Sequence, residues 1–255
     1  MHQSIVIIPT YNEIENIDSI IRAVMALGDS EFDVLVVDDG SPDGTPGAVR
    51  ALQQEFPGRI KLHERPGKLG LGTAYIEGFK ICLADPAGYR YIFEMDADFS
   101  HDPKDLLRLL SACRDEGADM AVGSRYVTGV NVVNWPIGRV LMSYYASAYV
   151  RLVTGMPVHD TTAGFACYTR RVLEALPLDS IRCKGYAFQI EMKFQTFKRG
   201  FRIKEVPIVF VNRVLGTSKM STGIFSEAVF GVLRLRLYSM FKKYPQYGPQ
   251  TDTDS

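Results

Sequence analysis

Between residues 4 and 96, short unbroken apolar runs alternate with stretches in which apolar side chains recur every three or four positions. The runs "SIVIIP" (4–9), "DVLVVDD" (33–39), "RIKLHE" (59–64) and "RYIFEMD" (90–96) each end in turn-forming or acidic residues, and each predicts a strand. Between them Ile14, Ile17, Ile20, Ile21 and Val24 keep helical spacing, "TPGAVRALQQEF" carries Pro46 in its first turn, and "LGTAYIEGFKICLA" predicts a third helix. Strands that are apolar on both faces and separated by helices imply a largely parallel sheet covered on both sides. The ligands of such a sheet sit at the carboxyl ends of its strands.

Farther along, a helix is predicted to start near Pro103, with Leu106, Leu107, Leu109 and Leu110 as its buried stripe, and "DMAVGSRY" (119–126) predicts a fifth strand. The pattern then becomes irregular: a long helix over 138–154, a "DTTAGF" segment, a helix over 186–199 and a strand "KEVPIVFV" (204–211). No internal repeat or low-complexity run breaks the chain. The expected organisation is one α/β domain over residues 1–221, a helix over 222–243 and a disordered polar tail over 244–255. In "GIFSEAVFGVLRLRLYSMFKK" (223–243) apolar residues point almost all round, and Arg234, Arg236, Lys242 and Lys243 cluster toward its end. Two readings fit that pattern: a buried core helix with a basic exit, or an amphipathic helix lying in a membrane interface or docked to a small membrane subunit.

Composition narrows the classes. A chain of 255 residues buries a core without staples, and 29 basic against 29 acidic side chains give no global field for nucleic acid, which is not expected as a partner. Cys82, Cys113, Cys167 and Cys183 lie far apart with no CxxC pair, so they read as reduced thiols in a cytoplasm rather than a disulfide framework or a zinc site. "MHQSIVIIPTYNE" lacks the layout of an export signal, and no apolar run reaches the ~18 residues of a spanning helix.

Candidate chemistry gathers at three strand ends: "PTYNE", "VVDDGSPDGT" and "DADFSHDP". Asp96 and Asp98 stand at alternate positions of a strand exit, where a bend aims both carboxylates at one point. Such a pair is either a polar surface turn or a site for a hard cation, Mg²⁺ or Mn²⁺, that keeps positions open for phosphate oxygens. Asp38, Asp39 and Asp43 fit a turn, and equally a carboxylate that accepts from a base or ribose. "RPGKLGLGTA" (65–74) opens a helix and brings Lys68, but it has neither P-loop nor dinucleotide spacing. Arg125, Arg139, Arg213 and Lys219 each adjoin small residues; singly they are surface cations, and together with an acidic metal site they suit two phosphate groups.

The ordered set "PTYNE", "VVDDGSPDGT", "GLGTA", "MDADFSHDP", "GSRY", "CKGYAFQIEM" and "RVLGTSKM" resembles the family-2 glycosyltransferases, in particular the dolichyl- and polyprenyl-phosphate mannosyltransferases. That resemblance implies a GT-A fold with a mostly parallel, mixed sheet flanked by helices. It also implies inverting, metal-dependent transfer of mannose from GDP-mannose to a prenyl phosphate at the cytoplasmic face of a membrane. It places Pro9, Tyr11, Glu13, Val37 and Asp39 around the nucleoside; Asp96, Ala97 and Asp98 at the diphosphate and metal; Arg213 and Lys219 on the donor phosphates; Arg125 and Arg139 near the acceptor phosphate. Glu191 also matches the pattern. Ser100 stands where some members carry a glutamine metal ligand, and "LMSYYAS" (141–147) replaces an "SRGA"-like stretch. The rival readings are glucosyl transfer from UDP-glucose, sugar transfer to a glycan hydroxyl, a sugar-phosphate nucleotidyltransferase, and a non-enzymatic membrane-associated scaffold that binds nucleotide-sugar.

Overall fold

The computed structural model describes residues 3–28, 31–181, 185–212 and 223–248. Nine strands are described: β1 (Ser4–Thr10), β2 (Phe32–Asp38), β3 (Ile60–Glu64), β4 (Tyr91–Glu94), β5 (Met120–Ser124), β6 (Val132–Val133), β7 (Ala166–Thr169), β8 (Ile203–Pro207) and β9 (Phe210–Val211). Eight helices are described with them: α1 (Ile17–Met25), α2 (Thr45–Glu55), α3 (Leu71–Ala84), α4 (Asp105–Arg114), α5 (Ile137–Thr154), α6 (Arg170–Ala175), α7 (Tyr186–Lys198) and α8 (Gly223–Phe241).

Seven strands form one sheet in the order β3-β2-β1-β4-β7-β5-β8. All neighbours run parallel except β7, which is antiparallel to both β4 and β5. The mixed α/β sheet expected from the sequence is therefore the one observed. Its near-continuous apolar strands follow from burial on both faces: Val6 and Ile8 of β1 face one cluster with α1, α2 and α4, while Ile5 and Ile7 face another with α3, α6 and α7. A third, smaller cluster joins Val150 of α5, Ile190 and Phe194 of α7 and Val232 of α8.

Two features of the topology place a site. First, β1 and β2 pair in register to their last residues, Thr10 opposite Asp38, so the loops after them leave the sheet side by side. Second, the chain runs outward from β1 to β2 and β3 and then returns to the other flank of β1 as β4. That reversal opens a crevice at the carboxyl ends of β1 and β4, where open α/β sheets bind ligands.

Several local expectations are corrected. Helix α1 starts at Ile17, and Ile14 is exposed in the preceding turn. Leu107 points to solvent, so the buried stripe of α4 is Leu106, Leu109 and Leu110. "KEVPIVFV" is not one strand. Residues 203–207 finish the main sheet, and Phe210 and Val211 leave it to pair with β6 in a separate parallel ribbon. Residues 244–248, expected in a disordered tail, lie against the domain: Tyr247 stacks on Phe201 at 5.0 Å, and its N–H donates to the Arg199 carbonyl. Among the described residues the cysteines are buried free thiols. Cys183, Arg213 and Lys219 lie outside the described residues.

Candidate functional site

A cavity of about 380 Å³ occupies the crevice at the carboxyl ends of β1 and β4. One wall comes from the turns after β1, β2 and β4. The other comes from the end of β5, the β6–β9 ribbon, the start of α5 and the "DTTAGF" segment.

The first wall is built by carboxylates that hold neighbouring loops together. Asp38 accepts from the Thr10 hydroxyl at 2.7 Å and from both the backbone and hydroxyl of Ser41. Asp43 accepts from the Ile14 N–H at 3.1 Å and from Thr45, which ties the turn after β1 to the one after β2. Asp39 accepts from Arg65 NH1 at 2.5 Å and from the N–H groups of Leu69 and Gly70 at 3.2 Å. Its carboxylate thus fixes the glycine-rich loop that leads into α3. Gly40 lets the two loops touch: its φ is +72°, and an added Cβ would lie 3.1 Å from the Gly67 Cα. Lys68, carried by that loop, sits over the Tyr11 ring at 4.7 Å.

The turn after β4 aims the acidic pair. Phe99 adopts a left-handed backbone, φ +57°, a conformation that costs a bulky residue about 1–2 kcal/mol. Asp98 Oδ1 accepts the Ser100 N–H at 3.0 Å, and the Ser100 carbonyl accepts from Val211 of β9, so the bend is held from both sides. Asp96, Ala97, Asp98 and Ser100 all line the cavity as a result. Tyr75 reaches Asp96 at 3.5 Å from below. Among the described residues no group of three or more His, Cys, Asp or Glu side chains converges as a metal cage. Two carboxylates and a serine hydroxyl on one cavity do suit a hard divalent cation that draws its remaining oxygens from a phosphate ligand.

The second wall is basic and aromatic. Arg125 is 6% exposed, and its Nε and NH2 donate to the two Asp160 oxygens at 2.7 and 2.6 Å, with NH2 also reaching the Thr162 hydroxyl. Glu205 of β8 in turn accepts from the Asp160 and His159 N–H groups at 2.9 and 2.7 Å. Burial alone would raise the Asp160 carboxyl, but the Arg125 charge and hydrogen bonds hold it below its ordinary value. Arg139 lies flat on Trp135 at 4.0 Å and donates to Asn212 at 3.0 Å. Beneath the cavity Lys193 donates to the Ala163 carbonyl at 2.6 Å, close to the buried Glu94, and burial pushes the lysine down and the carboxyl up.

Ten of the sequence-derived site residues line this one cavity: Pro9, Tyr11, Glu13, Asp39, Asp96, Ala97, Asp98, Ser100, Arg125 and Arg139. Val37 does not, because its side chain packs into the core with Ile7 and Tyr75. Glu191 is buried away from the cavity lining, whereas Gln189 of the same motif reaches it. His101, Trp135 and Asp160 went unassigned in the sequence. His101 stands in the same motif as Asp98, three residues on, which is a signal for it, whereas Asp160 lies 35 residues from its partner, with no spacing signal to link them.

Comparisons with known proteins agree with this geometry. The polyprenol monophosphomannose synthase of Mycolicibacterium smegmatis is 46% identical over 230 residues, covering 90% of this chain and 85% of the relative. The undecaprenyl-phosphate mannosyltransferase of Micrococcus luteus is 49% identical, covering 89% and 91%. Glucosyl-3-phosphoglycerate synthase from Mycobacterium tuberculosis, solved with Mn²⁺, UDP-glucose and phosphoglyceric acid, superposes with a TM-score of 0.68 at 19% identity over 92% of this chain and 80% of that one, and so shares the fold. The model of glycosyl transferase family 2 matches residues 5–176. With its cavity at the switch point of a mixed sheet and that match across most of the catalytic core, the chain belongs to glycosyl transferase family 2.

Proposed function

We propose that this chain transfers mannose from GDP-mannose to a prenyl phosphate, with inversion at the anomeric carbon, on the cytoplasmic face of a membrane. The observation that carries this reading is the division of one cavity into an acidic wall, with Asp96 and Asp98, and a basic wall, with Arg125 and Arg139. Two anionic substrates must meet in such a reaction, and each wall suits one of them. The names of the two relatives supply the mannose and the prenyl phosphate. Family membership as a glycosyltransferase replaces the nucleotidyltransferase reading.

Asp96 and Asp98, with Ser100 beside them, would hold Mg²⁺ or Mn²⁺, whose chemistry is to neutralise the charge of the departing diphosphate. The chain's own residues do the rest. Tyr11, stacked under Lys68, and Glu13 lie beside the nucleoside, and Arg213 and Lys219 fall to the donor phosphates. The acceptor phosphate is already anionic near neutral pH, so no general base is needed to make its oxygen a nucleophile. That requirement fits the second wall, where Asp160 accepts from Arg125 and Glu205 from the loop backbone. Arg139, laid on Trp135, and Arg125, oriented by Asp160, hold the attacking phosphate in line. A phosphate oxygen of the acceptor forms the new bond to the anomeric carbon as the bond from that carbon to the GDP oxygen breaks, and GDP leaves with the electron pair.

The lipid brings in α5 and α8. Among the described residues no helix is long and apolar enough to cross a membrane. The two helices instead expose Ile137, Leu152, Tyr238 and Phe241, the last 90% exposed, beside Arg234, Arg236, Lys242 and Lys243. This combination suits docking in a membrane interface, where apolar side chains enter and basic ones meet anionic headgroups. A donor-by-acceptor screen with added Mg²⁺ or Mn²⁺ tests the whole reading. Prenyl-phosphate mannose and stoichiometric GDP are expected; transfer confined to UDP-glucose, or to a glycan hydroxyl, overturns it.

A further inference from the structure

His101 stands in the interval between the two walls. It follows the Asp98 turn, its ring stacks on Phe165 at 4.7 Å and 12°, and it meets Phe210 edge-on at 5.3 Å. Phe210 is also the ring beneath the Arg125 guanidinium, at 5.5 Å. The imidazole therefore lies between the Asp98 turn of the acidic wall and the Arg125 side chain of the basic wall, on the lining of the shared cavity.

The ring is 4% exposed and lines the cavity, yet its Nδ1 is buried without a partner, and neither nitrogen has a hydrogen-bond partner among the described residues. A buried polar atom left unpaired costs about 1–3 kcal/mol, so a purely structural position of this shape would be better filled by phenylalanine. The ring is also held in place from behind. Phe165 packs closely against Gly123, where an added Cβ would lie 2.8 Å from Phe165 Cδ1. With Nδ1 shut inside, the edge bearing Nε2 is the part left to meet a ligand.

We infer that His101 reads the sugar being transferred, through a hydrogen bond between Nε2 and a sugar hydroxyl; this rests on the proposed transfer from a nucleotide sugar. The class of ligand follows from the chemistry around it. Arg125 and Arg139 already provide cations for a phosphate, whereas an imidazole nitrogen matches a hydroxyl, which can donate to it or accept from it. A locked ring in the cavity wall is the kind of support that fixes a sugar without closing a lid over it.

The test compares wild type, H101F, which keeps the aromatic stack, and H101Q, which restores one polar contact. Calorimetry with GDP and Mg²⁺, then turnover of GDP-mannose and a series of its monodeoxy analogues, separates nucleotide from sugar. H101F is expected to bind GDP within twofold of wild type, to lose about tenfold or more in kcat/KM for GDP-mannose, and to be partly restored in H101Q, from the loss of one hydrogen bond. Removing the contacted hydroxyl should slow wild type by a similar factor and leave H101F unchanged. Equal loss of GDP and GDP-mannose affinity, or a deoxy series that slows wild type and H101F alike, overturns the proposal. If H101F does not fold, H101L, which also lacks a side-chain hydrogen-bonding group, goes through the same cycle with the same outcomes deciding. If wild type uses another nucleotide sugar, the mannose reading falls, and the comparison on that donor and its nucleotide still decides His101.

Discussion

The two walls of the cavity solve one problem with opposite signs. On the first, the carboxylate of Asp39 is fixed by the buried Arg65, and on the second the guanidinium of Arg125 is fixed by the buried Asp160. Each of these charged groups on the cavity lining is thus oriented by a partner, 26 residues away on the first wall and 35 on the second. The walls differ in what surrounds the pair. Behind Asp39 are adjacent turns of a parallel α/β unit, whereas Asp160 depends on Glu205 from β8, the β6–β9 ribbon and an antiparallel strand. A carboxylate held on one side and a guanidinium held on the other give the cavity two walls of opposite charge.

The sharpest way to break that symmetry is to remove one buried partner at a time. D160N should lower unfolding free energy by about 3–5 kcal/mol, because it removes the counter-charge of the buried Arg125 guanidinium, and D39N by less, because Arg65 keeps its ion pair with Glu77 at 2.9 Å. Their kinetic effects should separate: D39N frees the loop carrying Lys68 and raises the KM for donor, while D160N raises the KM for acceptor. Matching changes in both constants would mean the walls are not independent. Acid melting adds a check. The native pKa of Asp160 is depressed, so its contribution is present above the unfolded value of 3.8 and disappears as pH falls through the native one. Wild type should therefore lose more stability than D160N on acidification below about pH 4.

Next in size is the reaction itself. D98A should lose about 100-fold or more in kcat, the usual cost of removing a preorganised electrostatic group. Because Asp98 also accepts the Ser100 N–H, D98N is the control. It keeps a hydrogen-bond acceptor for the turn and loses the charge, so similar rates for D98A and D98N assign the effect to charge. Turnover near wild type in both variants would remove Asp98 from the acidic wall.

How much of this was legible in the sequence follows the same division. The first wall could be read because its elements are local: apolar runs give strands, strand ends carry the polar groups, and Pro9, Asp39, Asp96 and Asp98 fall together once the sheet is parallel. The second wall was read as cations suited to phosphate, without the contacts that hold them. Nothing in the spacing of "GSRY" and "DTTAGF" says that Arg125 is gripped by Asp160, since that contact depends on β7 running antiparallel between β4 and β5. Strand β7 is four residues of "ACYT", too short to show a period, and β9 is two residues split from β8 by Ile208 and Val209. Val37 shows the converse error: the strand was right, but alternation turns its side chain into the core.

A smaller perturbation tests whether the walls communicate through the aromatic stack between them. In G123A the new Cβ would press on Phe165 and on Ile208, 3.1 Å away, and such overpacking costs about 1–3 kcal/mol. Because Phe165 backs His101, the variant should slow sugar transfer while leaving GDP affinity near wild type. A drop in stability with unchanged kinetics would confine Gly123 to packing.

The smallest expected effect concerns what the second wall faces outside the cavity. Residues of α5 and α8 expose large apolar side chains on this flank, and Phe241 is the most exposed of them. Burying one phenylalanine in an apolar phase is worth about 1.5–3 kcal/mol, so F241S should reduce partitioning onto anionic vesicles by about tenfold or more. Since Phe241 lies far along α8, turnover of a short, water-soluble prenyl phosphate should not change. A fall with both acceptors would place Phe241 in the fold of the catalytic domain. Unchanged partitioning would leave the basic cluster, or a protein partner, to bring the enzyme to its lipid. High salt distinguishes those two, because screening weakens the attraction of Arg234, Arg236, Lys242 and Lys243 to headgroups and leaves an apolar protein contact in place.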